Sequence, residues 1–136
     1  MSVDFLSAAR TSIYNALNGN LGGVPVYDHV PYEPEGSPSV NYPCVVIGDA
    51  TENEWDTDDV QGAQITHRVH CWSNYKGTKE INELQSLVKS LITRQSFSAA
   101  GYNFVDALHE FSDITGLQDG ITRMGTVQFR LTLQEG

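Results

Sequence analysis

Two hydrophobic periods alternate along this chain, and each change of period predicts a change of element. Phe5, Leu6, Ala9, Ile13, Ala16 and Leu17 repeat at helical spacing, so residues 4–18 are expected to form an amphipathic helix. Ser2 or Asp4 can cap its start, and Asn18-Gly19 offers a left-handed residue to end it. A second helix gives the clearest pattern, with Ile81, Leu84, Leu87, Val88, Leu91 and Ile92 at spacings of three and four. Thr78 stands at its cap position and Glu80 in its first turn, where the helix dipole favours an anion. That stripe must lie on a sheet.

Strand patterns fill the space between and after the helices. Val24 to Val30 predicts a short strand that Pro25 confines to an edge or a late start. Cys44 to Gly48 is a continuous apolar run, short enough for a strand covered on both faces. Gly62 to Ser73 alternates, with Ala63, Ile65, His67, Val69 and Cys71 on one face and Gln64, Thr66, Arg68, His70 and Trp72 on the other. The polar second face should meet solvent or a partner subunit. After a connector, Phe97 to Tyr102, come strands Phe104 to Phe111 and Ile121 to Leu133, joined through Thr115-Gly116 and Asp119-Gly120. In the last strand Gly125, Val127, Phe129, Leu131 and Leu133 alternate with Thr126, Gln128, Arg130 and Thr132.

Two stretches lack either period. Pro31 to Pro43 holds four prolines, Gly36 and two serines and reads as an extended loop. Asp49 to Gln61 reads as a second long loop, with six acids around Trp55. The element order is αβββαββ, with no internal repeat or linker, so residues 1–136 are expected to form a single α+β domain. Its core is an antiparallel or mixed sheet of about five strands, with two helices packed on one face. The opposite face then needs an explanation, and an oligomer interface is one.

Composition narrows the function. A chain of 136 residues can bury enough apolar surface to fold without staples. No apolar run reaches the roughly 18 residues that would cross a bilayer, and Met1-Ser2-Val3-Asp4 lacks the basic start of a signal peptide. A cytosolic, membrane-free protein is expected. There Cys44 and Cys71, both inside predicted strands, act by default as small buried thiols, with a disulfide or a reactive thiol as the alternative. A net charge of −9 and eight scattered basic residues argue against nucleic-acid binding, which needs clustered Lys and Arg.

The search for chemistry finds little. His67 and His70 are three apart on a strand and point to opposite faces; His67 and Cys71 share a face but stand about 13 Å apart. Neither arrangement suits zinc. Asp56-Thr57-Asp58-Asp59 lacks the register of a calcium loop, leaving a solvated acidic loop, a weak divalent site or a surface for a basic partner. Asp106 is the one acid in an apolar context, and no nucleophile elbow or phosphate loop exists. No catalytic, cofactor or metal residue is therefore assigned. Trp55 is either an interface anchor among acids or an aromatic tucked back onto its own domain. The candidate assembly surface comprises Trp55, Asp56, Asp58, Asp59, Arg68 and His70.

The order of these pieces resembles the tail-completion and tail-terminator proteins of long-tailed bacteriophages. The resemblance rests on the helix ending near Leu17, Val26-Tyr27, Val30-Pro31, Tyr42-Pro43-Cys44-Val45-Val46-Ile47-Gly48, and the strand closing in Trp72-Ser73. It continues through Gly77 with Glu80, Asp119-Gly120, Gly125 and Phe129-Arg130, covering roughly residues 5–133. It implies a non-enzymatic virion protein, made in the host cytoplasm, that forms a ring, usually hexameric, on the head-proximal end of the tail tube. The ring would meet the tail tube protein and the head–tail connector, and DNA would pass through without specific binding, which suits an acidic lining. Two other readings remain: another neck, connector or minor tail protein, and a monomeric bacterial binding module or enzyme using loops 31–43 and 49–61.

Overall fold

Alternation dictates where the core lies. A computed structural model describes residues 4–27, 43–74, 77–99, 101–116 and 122–136. The elements are α1 (Phe5–Leu17), β1 (Val26–Tyr27), β2 (Cys44–Glu54), β3 (Gly62–Ser73), α2 (Lys79–Ile92), β4 (Ser98–Ala99), β5 (Tyr102–Gly116) and β6 (Arg123–Glu135). The Ser2 cap, Asp28 to Val30, Pro31 to Tyr42 and Asp119-Gly120 to Ile121 lie outside the described residues. Among those described, one sheet has the order β1-β2-β3-β6-β5-β4. The fold is α+β, as expected, and β3 and β6 form its centre, paired in register from Gly62↔Gln134 to Ser73↔Arg123. Of the two sheet types expected, it is the mixed one: β1 is parallel to β2, and the other pairings are antiparallel.

One face of the sheet carries Val45, Ile47, Ala63, Ile65, Val69, Cys71, Val127, Phe129, Leu131 and Leu133, all buried under α1 and α2. The helices are fixed at their ends by specific bonds. Asp4 Oδ1 accepts the Ser7 N–H at 3.0 Å, and the Asp4 N–H donates to the Tyr102 hydroxyl at 2.8 Å. Phe5 meets the Tyr102 ring edge-on at 5.6 Å. Thr78 occupies the N-cap of α2 but makes no capping bond; instead Ser73 Oγ donates to Glu80 Oε1 at 2.6 Å, tying the helix start to the end of β3.

Three expectations are corrected. The Phe97 to Tyr102 connector contains the two-residue β4. β2 does not stop at Gly48: after a bulge at Gly48-Asp49 it pairs with β3 as far as Glu54↔Ala63, so the acidic loop shrinks to Trp55–Gln61. The third concerns Leu87, expected in the core but 36% exposed.

The buried stripe of α2 is Ile81, Leu84, Gln85, Val88 and Ile92, so the helix is rolled toward Gln85 and away from Leu87. The roll has a local cause. Gln85 Nε2 donates to the Asp113 carbonyl at 2.8 Å, and a Cβ on Gly125 would lie 2.4 Å from that nitrogen. Glycine in β6 therefore lets a polar side chain lie flat on the sheet. Leu84→Ala should cost about 2–5 kcal/mol, and Leu87→Ala less than about 1 kcal/mol. Urea denaturation of both variants checks this; equal losses would contradict the observed roll.

Candidate functional site

The face of the sheet turned away from the helices has no covering layer among the described residues. Period two places Gln64, Thr66, Arg68, His70 and Trp72 of β3 there, beside Met124, Thr126, Gln128, Arg130 and Thr132 of β6. Leu108 and Phe111 of β5 join them opposite Arg130 and Gln128. We call this the outer face.

His70 sits near its middle and is held from two sides. Its Nδ1 lies 3.0 Å from Thr126 Oγ1, and a Cβ on Gly48 would come within 2.6 Å of its Nε2. The glycine at the β2 bulge thus makes room for the imidazole ring. Burial lowers the His70 pKa below its ordinary value; Asp49 and Asp113 oppose that shift and Arg68 adds to it. The unfolded chain then takes up this proton first as pH falls below about 6.5, so stability is full above that pH and declines below it. His70→Gln should flatten the fall in urea midpoint between about pH 7.5 and 5.5. An unchanged slope would assign the fall to other groups.

Arg68 and Asp49 approach to 3.7 Å, with Asp49 79% exposed, so solvent screens the pair and it adds little. A second polar group was not foreseen from the sequence. Glu110 Oε1 accepts from Gln128 Nε2 at 3.2 Å, and its Oε2 lies 3.9 Å from Arg130 Nη1. The alternation of β6 did place Gln128 and Arg130 on one face. The register of Glu110 could not be read, because β5 shifts register between Phe104 and Asp106 and again between His109 and Phe111. Buried Trp72 Nε1, Gln128 Oε1 and Arg130 Nε, all on outer-face residues, have no hydrogen-bond partner among the described residues. Trp72 itself lies between Cys44 and Met124 on this face.

The other candidates form a separate group at the β2–β3 turn. The Trp55 N–H donates to the Gly62 carbonyl at 3.1 Å, Thr57 N–H to Val60 O at 2.9 Å, and Gly62 N–H to Asp56 Oδ1 at 2.8 Å. Asp56 is therefore part of the turn's framework, Trp55 is half-buried, and Asp58 and Asp59 stand exposed at its tip. From Gly62 to Arg68 is six steps of strand, about 20 Å. The structure thus brings Arg68 and His70 together, and Trp55, Asp56, Asp58 and Asp59 together, but does not join the two groups.

Among the described residues no three His, Cys, Asp or Glu side chains stand close enough to hold a metal ion. His67 is buried on the inner face while His70 is on the outer. Cys44 and Cys71 are free and buried. Burial pushes the Cys44 thiol up to about 11, and burial with the neighbouring Cys44 pushes Cys71 up to about 12, so both stay protonated and unreactive.

Comparison with known proteins gives a consistent picture. Residues 9–134 match the family described as tail completion protein gp17. A tail completion protein gp17 of Bacillus phage SPP1 is 28% identical over 92 residues, covering 68% of this chain and 68% of that protein. A chain in the solved virion of a native gene transfer agent particle superposes with a TM-score of 0.84 at 16% identity, over 98% of this chain and 99% of that one. At that identity the superposition speaks for the fold alone.

Proposed function

The chain belongs to the tail completion protein gp17 family, a family of structural phage-tail proteins, and from that premise we propose that it completes the tail as a terminator. In this reading, copies assemble as a ring, hexameric in the finished particle, on the head-proximal end of the tail tube. The ring ends tube polymerisation and presents a surface to the head connector. The protein is then a component of the virion tail or neck and works by assembly with other tail proteins rather than by catalysis.

The observation that carries this reading is the family match across residues 9–134. Two features of the fold support it. Among the described residues the outer face has no cover, and buried polar atoms of Trp72, Gln128 and Arg130 have no partner there, which a neighbouring subunit would satisfy. An acidic chain of net charge −9 suits a channel through which DNA passes without being gripped. Arg68 and His70 on the outer face, and Trp55, Asp58 and Asp59 on the turn, are the residues we assign to contacts with neighbours.

Electron microscopy of lysates lacking this gene tests the role. Filled heads beside unattached tails with tubes of abnormal length are expected. Unattached tails of normal length would favour another neck or connector role without length control. Normal joined particles would overturn the assembly reading. Complementation with Trp55→Ala or with paired Asp58→Lys and Asp59→Lys should leave the fold intact and reduce the yield of joined particles. A sharp fall in thermal stability with full complementation would make this turn structural only.

A further inference from the structure

The two long edges of the sheet are finished differently. At β2, the Arg10 guanidinium donates to the Ile47 and Gly48 carbonyls at 3.1 and 3.0 Å, and Asp49, Glu52 and Glu54 line the strand beyond. Charge, a bulge and a covering side chain are the usual means by which a sheet edge is closed to further pairing. At β5, the two-residue β4 pairs only with Tyr102 and Asn103, and the Arg94 N–H takes the Ala107 carbonyl. Beyond the bulge at Glu110, Phe111 to Gly116 pairs regularly with β6 on one side, and no described strand lies on the other. This stretch has no proline and no lysine, and it exposes Phe111 at 43% and Ile114 at 37%. Six residues is the common length of a strand. Gln85 Nε2 grips the Asp113 carbonyl from α2, so this edge is held in place before any partner arrives.

Charge decides what could pair there. β5 carries Asp106, Glu110 and Asp113 and no Lys or Arg, and β2 carries three acids of its own. A second copy offering β5 or β2 would set acids against acids, and like charges across a strand pair are destabilising. We propose that the Phe111–Gly116 edge of β5 accepts an added strand from a different protein, one that alternates apolar residues with Lys or Arg. Backbone hydrogen bonds would supply affinity, with Phe111, Asp113 and Ile114 selecting side chains. The proposal rests on the assembly reading above for its setting, since such a partner would be another protein of the particle.

The test uses the full chain with a synthetic peptide of about ten residues alternating Lys and Val, and the same peptide N-methylated on one edge to block strand pairing. The plain peptide should slow amide exchange of residues 111–116 about tenfold, and the N-methylated one should not. Asp113→Lys should weaken the protection while leaving the free protein's melting unchanged. Equal protection by both peptides would reduce the contact to charge alone and overturn the proposal, as would no protection. Concentration-dependent protection without peptide would name a second copy as the occupant and overturn it too. None of these outcomes bears on whether gene deletion leaves tails unfinished, so failure here and failure of the terminator reading are separable.

Discussion

Phe129→Ala is expected to lower the unfolding free energy by about 3–5 kcal/mol, against a total that for most domains is about 5–15 kcal/mol. Phe129 is fully buried at the middle of β6, opposite His67 of β3 and His109 of β5. Its ring meets His109 edge-on at 6.1 Å between centroids. Truncation opens a cavity between the three longest-paired strands, and it strips the packing that keeps His67 dry. Helices can slide a little to fill space, but a strand bonded on both sides cannot. A urea midpoint that falls with an unchanged slope would confirm a loss of native packing. A change under about 1 kcal/mol would mean that the sheet collapses around the gap.

Gly62→Ala should be the most damaging single methyl addition, at about 1–3 kcal/mol. A Cβ there would stand 2.5 Å from the Trp55 carbonyl oxygen and 3.0 Å from that of Leu133. Both are backbone atoms, so no side chain can swing aside. The turn must shift, and with it the bonds from Gly62 N–H to Asp56 and from Trp55 N–H to Gly62. Gly116→Ala is the control: nothing lies within 4 Å of its added methyl, and it should be neutral to within about 0.5 kcal/mol. Thermal melts of the two variants side by side measure the difference. Equal melting would show that the turn relaxes without cost.

Which elements could be read from the sequence follows from where the helices cover the sheet. β3 and β6 have one apolar and one polar face along most of their length, and their alternation is plain. β2 beyond Gly48 has Ala50 as its one apolar residue, so Asp49–Glu54 shows no apolar alternation and looks like a loop although it is paired strand. The far half of β5 is exposed at the side of the sheet, and the bulges of β5 hide the register of Glu110. The roll of α2 was illegible because it depends on a meeting between Gln85 and Gly125 that local spacing does not encode. For the candidate surface, residue types were readable but their grouping was not. Only the register of β3 with β6 shows that Arg68 belongs beside Gln128, and only the turn's bonds separate Asp56 from Asp58 and Asp59.

The strand order has a consequence in time. β6 is the last described element in the chain, yet it lies between β3 and β5 and joins them. As the polypeptide leaves the ribosome, β3 and β5 share α2 but no strand until residues 123–135 emerge, so they cannot join one sheet before then. Closing the sheet then requires bringing together segments about fifty or more positions apart, which is a slow class of event. Chains still in synthesis therefore cannot present a finished β5 edge, so strand addition there is withheld until translation has passed β6.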